Sequence, residues 1–212
     1  MHHARSDPHA PVQEASDGAG VGLLWFQIGD LRLADNPALA AALAEGPLVP
    51  FFAWAPAEDG TWAPGGASRW WLHHSLEQLA RDLERRGSRL IIRSGASVSQ
   101  LLESLAADTG ATRLYFNRGY TPAERLKQAS AQRTRLQTFS FNARLLIEPS
   151  SLQRDGHPPY RIFSAFWRSA APLSPSTRRW THRRAYPCRP TGPLLSPWRS
   201  SVCCPCQIGP PG

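Results

Sequence analysis

The chain has 212 residues, 42 % of them hydrophobic, with 24 basic and 16 acidic residues and a formal charge of +8. No run approaches the ~18 consecutive apolar residues of a membrane span, and Met1 to Gly20 is too polar for a secretory signal, so a soluble, cytoplasmic protein is expected. The basic excess is no evidence for nucleic-acid binding by the folded part, because nine Arg and one Asp from residue 151 onward hold all of it.

In chain order, the apolar run Gly22-Leu23-Leu24-Trp25-Phe26 predicts a strand buried on both faces. Asn36 followed by Pro37 predicts a capped helix through the Ala- and Leu-rich run to Glu45. Leu48 to Trp54 reads as a second strand, with Pro50 arguing against a fully central place. A loop rich in Pro, Gly and Asp covers Ala55 to Ala67. Ser68 is expected to open the longest helix, with Leu72, Leu76, Leu79 and Leu83 on one face and Gly87 as its stop.

Arg89 to Arg93 is a third predicted strand. Ser97 and Gln100 have capping-box spacing ahead of a helix carrying Leu101, Leu102 and Leu105 and ending at Gly110. Arg113 to Asn117 is a fourth strand, Pro122 begins a helix to about Leu136, and Gln137 to Phe141 is a fifth strand. Alternating strands and helices imply right-handed crossovers. The expected fold class is therefore α/β: a doubly wound, five-stranded, mostly parallel, Rossmann-like sheet followed by a disordered basic tail.

Ligands of such sheets bind beyond the carboxyl ends of the strands, where strand order reverses. This directs attention to the residues that follow the strands: Gln27 to Asp30, Trp54 to Glu58, Ser94 to Gly95, and Asn117 to Tyr120. No Gly-x-Gly-x-x-Gly or Gly-Lys-Ser/Thr loop is present, which counts against NAD or ATP use. The adjacent His73 and His74 have no second ligand pair at workable spacing and read as helix-surface residues.

The chemistry changes near Leu173. Beyond it there is no Asp or Glu, all four cysteines are crowded in, and eight of the 20 prolines fall in the last 40 residues. Without a periodic apolar face, disorder is expected there and in residues 1–21. Cys203, Cys204 and Cys206 have only Cys188 and His182 as further donors, so zinc is not expected. Arg178, Arg179, Arg183 and Arg184 offer a phosphate-binding reading. The stronger reading of this acid-free, Arg-, Pro- and Cys-rich stretch is out-of-frame translation of GC-rich DNA.

Several ordered segments together resemble the DNA photolyase/cryptochrome family. They are Leu24-Trp25-Phe26 with Asp30-Leu31-Arg32-Leu33-Ala34-Asp35-Asn36-Pro37, Gly65 to Leu72 with its Leu-rich helix, Tyr115 to Tyr120, Ser140-Phe141-Asn142, and Pro159 to Trp167. The resemblance covers about residues 22–172. It departs from the family at Gln27-Ile28-Gly29, where an Arg-containing pair is usual, and in a short helix after Tyr120.

The resemblance implies an N-terminal α/β antenna domain over residues 22–150, then the start of an interdomain linker over 151–172. Such a domain can hold a light-harvesting antenna such as methenyltetrahydrofolate or a deazaflavin. A separate helical domain binds FAD and the pyrimidine dimer of DNA, and that domain is expected to be absent from this chain, a truncation that leaves it without catalytic residues. The resemblance adds Glu124 to Gln27, Asp30, Asn117, Arg118 and Tyr120 as candidate antenna contacts.

Each candidate also has a plain structural reading. Glu124 suits the first turn of a helix. Asp30, Arg32 and Asp35 suit an ion-pair and capping set, and Trp70 and Trp71 suit one ring in the core and one at a domain face. The alternative function is a non-catalytic chromophore- or nucleotide-binding α/β module.

Overall fold

The computed structural model describes residues 20–152 and 160–173. The expectations for the N-terminal extension, the cysteine cluster and the basic tail lie outside the described residues. Five strands form one sheet: β1 (Gly22–Phe26), β2 (Leu48–Trp54), β3 (Ile91–Ser94), β4 (Arg113–Asn117) and β5 (Gln137–Phe141). Their order is β3-β2-β1-β4-β5, and all four pairings are parallel. The connecting helices are α1 (Pro37–Glu45), α2 (Gly66–Glu84), α3 (Val98–Thr109) and α4 (Pro122–Ala131), and α5 (Phe163–Ala170) follows the sheet.

β1 is buried at all five positions, as its unbroken apolar run requires. Helices cover both faces, giving two apolar clusters. One joins Leu23, Trp25, Phe51, Leu114 and Phe116 to Val98, Leu102 and Leu105 of α3. The other joins Leu24, Phe26, Phe52 and Tyr115 to Ala38 and Leu39 of α1 and Leu72, Leu79 and Leu83 of α2. Alternation along one strand thus feeds two cores, and β1 is paired on both sides, with β2 and with β4. Pro50 pairs in register with Leu24, one residue before β3 begins to pair at Phe51, so β2 is an edge at that point. No helix among the described residues is long and apolar enough to cross a membrane.

Local details depart from the sequence reading for identifiable reasons. α2 starts at Gly66 rather than Ser68, its entry fixed by Arg69 Nε donating to the Pro64 carbonyl at 2.7 Å. α4 ends at Ala131 rather than near Leu136. The Ser130 and Thr134 hydroxyls turn back onto the Lys127 and Ala131 carbonyls at 2.8 and 2.7 Å, a competition that closes the last turn. Trp70 and Trp71 are 52 % and 70 % exposed, so neither enters the core; the neighbouring Leu72 takes the inward position.

The expected capping box at Ser97 does not form. The Ser97 hydroxyl bonds to that of Ser99, and the N-terminal donor of α3 at Val98 is satisfied by Glu58 Oε1 at 3.1 Å. A long-range carboxylate thus does the work of a local cap. Glu58→Ala is expected to lower stability by about 1 kcal/mol in urea unfolding, and Glu58→Gln to retain most of it because one carbonyl oxygen suffices.

Candidate functional site

Strand order reverses between β1 and β4, because β2 and β3 build outward on one side and β5 on the other. The residues that leave these two strands at their carboxyl ends therefore face one another. Gln27, Asp30 and Asn117 are all buried there, at 7 %, 2 % and 1 % exposure.

Three buried polar side chains next to a hydrophobic sheet need partners, and they find each other. Gln27 donates through Nε2 to the Asn117 carbonyl at 2.7 Å and accepts from Gln128 Nε2 of α4 at 3.0 Å. Asn117 Nδ2 donates to Asp30 Oδ2 at 2.7 Å and to Asn36 Oδ1 at 2.9 Å, while its Oδ1 accepts from the Ala38 amide at 3.3 Å. Asp30 Oδ1 also accepts from the Gln27 amide at 2.6 Å. Burial holds the Asp30 carboxyl above its ordinary range, outweighing these hydrogen bonds and the nearby Arg144 and Arg32 charges.

Asp30, Arg32 and Asp35 do not form the expected ion-pair set. Asp30 turns inward as described, and Arg32 donates to the Asp35 and Ala143 carbonyls at 3.1 and 2.8 Å. The capping part of that expectation belongs to Asn36, whose Oδ1 accepts from the Leu39 amide at 3.1 Å.

Outside this buried set lies a half-buried ring of Arg118, Tyr120 and Glu124. Arg118 Nη1 pairs with Glu148 Oε1 at 2.6 Å, and the other guanidinium nitrogens donate to Ser140. Tyr120 OH donates to the same Glu148 oxygen at 2.8 Å. Burial, with the Glu148 hydrogen bond and charge, pushes the Tyr120 phenol up to about 12.

Glu124 closes a capping box with Thr121 at the start of α4 and pairs with Arg144 Nη1 at 2.7 Å. Gly119 allows the carboxylate in, since a methyl group there would collide with the Glu124 side chain. Burial pulls Glu124 upward, but the Arg144 and Thr121 hydrogen bonds and the Arg144 charge leave it below the usual carboxylate range. The six candidates are thus brought together in two adjoining groups.

The sequence reading did not single out Asn36 as a site partner, nor Gln128, Ser140, Arg144 or Glu148. The Thr121-to-Glu124 spacing was the local signal for the capping box. The others are joined across as many as 101 residues, as Gln27 and Gln128 are, and no local pattern marks them.

Two open grooves, of about 700 and 370 Å³, run between α2 and the segment after β1, and of the six candidates only Asp30 lines either of them. The larger is lined by Ile28, Gly29, Asp30 and Trp71 among others, and the smaller includes Leu33, Trp70 and His74. His73 and His74 sit on α2 beside Glu77, close enough together for their ligand atoms to meet a metal ion. The Glu77 carboxylate is already shared between Arg81 at 2.5 Å and His74 at 3.5 Å.

The family model for DNA photolyase matches residues 22–183. The chain belongs to the DNA photolyase family. It is 38 % identical to Cryptochrome-1 of Arabidopsis thaliana over 183 residues, which are 84 % of this chain and 25 % of that protein. It is 41 % identical over 152 residues to the deoxyribodipyrimidine photo-lyase of Agrobacterium fabrum, covering 69 % of this chain and 31 % of that enzyme.

An archaeal photolyase from Sulfolobus tokodaii superposes with a TM-score of 0.60 at 23 % identity, over 72 % of this chain and 35 % of its own. That structure is described with two FAD molecules and the implication of a novel light-harvesting cofactor. At this identity the likeness shows the fold, which is that of the photolyase N-terminal α/β domain. The chain spans between a quarter and a third of the length of these curated relatives. The match also runs ten residues past Leu173, where the composition changes.

Proposed function

We propose that this chain provides the α/β half of a photolyase- or cryptochrome-type flavoprotein, and that its 212 residues do not by themselves repair pyrimidine dimers. The observation that carries this reading is coverage. The family match includes every strand of the sheet, yet equals only 25–31 % of the curated relatives' length. In the family, excited reduced FAD supplies the electron that splits the dimer, and the protein contributes placement and electrostatics. The chain supplies a five-stranded parallel sheet and exposed aromatic side chains. Trp70 and Trp71 stand on α2, and Phe163 and Trp167 stand on α5 at 72 % and 45 % exposure. Exposed apolar area of this kind fits a face built to be covered by a further domain.

The test is to purify the 212-residue chain, titrate it with FAD, and illuminate it with dimer-containing DNA under near-ultraviolet and blue light. No flavin retention and no light-dependent loss of dimers are expected. Repair by this chain overturns the reading.

A second reading, a chromophore-binding module without catalysis, is favoured by the position of the six candidates at the switch point of the sheet. Their arrangement does not fit an antenna. The polar atoms of Gln27, Asp30 and Asn117 are bonded to one another, and the Arg144 guanidinium lies over Gly29. No antenna step is therefore assigned to these residues.

A further inference from the structure

We propose that the segment from Asn142 to Glu148 is an intramolecular strap, and that its Arg144 side chain occupies the position at the ends of β1 and β4 where a planar chromophore would otherwise lodge. This rests on the reading of the chain as the α/β half of the family fold, and it accounts for the misfit of the switch-point residues to an antenna.

Four sets of bonds hold the strap down. Asn142 Oδ1 accepts from the Arg144 and Leu145 amides at 3.1 and 2.9 Å, folding the segment into a tight turn. The Ala143 carbonyl accepts from Arg32 Nη2 at 2.8 Å, tying the turn to the loop after β1. Arg144 Nη1 pairs with Glu124 at 2.7 Å. Glu148 anchors the far end through Arg118 and Tyr120 at 2.6 and 2.8 Å. The strap is thus fastened at one end to Arg32 and Glu124 and at the other to Arg118 and Tyr120, of which the last two follow β4 at the switch point of the sheet.

Arg144 is not simply an ion-pair partner. Its guanidinium packs so closely on Gly29 that a methyl group there would collide with Nη2 and Cζ. Its Nε and Nη2 are buried and make no hydrogen bond. These two nitrogens form the side edge of the guanidinium, the fork that usually grips a carboxylate or phosphate in two parallel bonds. Leaving that edge dry and unpaired opposes the closed arrangement. Glu124 and the packing on Gly29 hold the side chain there nonetheless. Gly29 also lines the larger of the two grooves, whose lining does not include Arg144.

The experiment uses the full 212-residue chain with methenyltetrahydrofolate and, separately, a deazaflavin as probes, read by their absorbance bands and by equilibrium dialysis. The unaltered chain is expected to leave both spectra unchanged. Arg144→Ala is expected to bind at least one probe about tenfold more tightly or better. Gly29→Ala expels the guanidinium by collision and should act in the same direction, so it carries the test if Arg144→Ala does not fold by circular dichroism. Arg144→Lys keeps the charge that pairs with Glu124 and most of the length, and should stay closed.

Stoichiometric binding by the unaltered chain overturns the strap proposal. So does a lack of gain in a folded Arg144→Ala or Gly29→Ala variant, and so does gain in Arg144→Lys equal to that in Arg144→Ala. None of these outcomes bears on the α/β-half reading, which fails only if the chain itself repairs dimers in light.

Discussion

Replacing Asn117 by Ala is expected to lower the stability of the domain by about 3–4 kcal/mol, and its melting temperature by roughly 10 °C. The side chain is 1 % exposed and serves three partners at once: Asp30, Asn36 and the amide of Ala38. Its removal leaves the Asp30 carboxylate buried with one fewer donor and the N-terminus of α1 with one fewer acceptor. Each stranded group costs about 1–3 kcal/mol, to which the small cavity adds.

Asn117→Asp makes a sharper companion because it sets a second carboxylate against Asp30. Burial already holds Asp30 above its ordinary range, so the folded state binds a proton there more tightly than the unfolded chain does. The cost of that group is present at neutral pH and relieved as pH falls through its folded value. Both deficits should shrink over the same acid window, that of Asn117→Asp by more, because Asn117→Ala removes a hydrogen bond that lowers Asp30 and Asn117→Asp adds a charge as well. Urea unfolding at a series of pH values measures both. A loss below about 1 kcal/mol for Asn117→Ala would show that the network contributes little to the fold.

Most of the sheet was legible in the sequence because its signals are local. The Leu-Leu-Trp-Phe run of β1, the Asn36-Pro37 start of α1 and the Leu72-to-Leu83 face of α2 each lie within a few turns of chain. The structure places them accordingly. Failures occurred where a distant group intervened. Ser97 has the right residue type and spacing for a cap, yet its hydroxyl bonds to Ser99 and Glu58 reaches the Val98 amide from 40 residues away. Trp70 and Trp71 have core-like side chains, but the phase of α2 is set by its leucines, and both indoles fall outside that stripe.

The candidate site divides in the same way. Gln27, Asp30, Asn117, Arg118 and Tyr120 could be nominated because a doubly wound sheet concentrates ligands at its strand ends. Their partners could not, because hydrogen bonds such as Gln27 to Gln128 or Arg118 to Glu148 join segments with no shared periodicity. Arg144 is the clearest case. It stands two residues beyond an Asn that merely looks like a turn former, and its importance comes from packing on Gly29 and pairing with Glu124, both set by the closed sheet. Topology located the seat, but side-chain geometry decided what fills it.

Glu124→Gln is expected to lower stability by about 1.5–2 kcal/mol at neutral pH, the range for charge-assisted hydrogen bonds that lose their charge. Glu124 takes four bonds: Arg144 on one oxygen, and the amides of Tyr120 and Thr121 with the Thr121 hydroxyl on the other. The amide variant keeps an acceptor but cannot hold the guanidinium electrostatically. Both partners of the ion pair are 23 % exposed, so salt should weaken the effect only modestly.

The pH dependence has a definite sign. The folded carboxyl lies below its ordinary value of 4.5, so its stabilisation is complete above that value and is lost as pH falls through the folded one. The unaltered and Glu124→Gln proteins should therefore differ most at neutral pH and converge in the acid limb below the ordinary carboxylate range. Parallel curves across that limb would mean that the charge of Glu124 contributes nothing beyond its cap. Convergence would tie the closure of α4 and the seating of Arg144 to one ionised carboxylate.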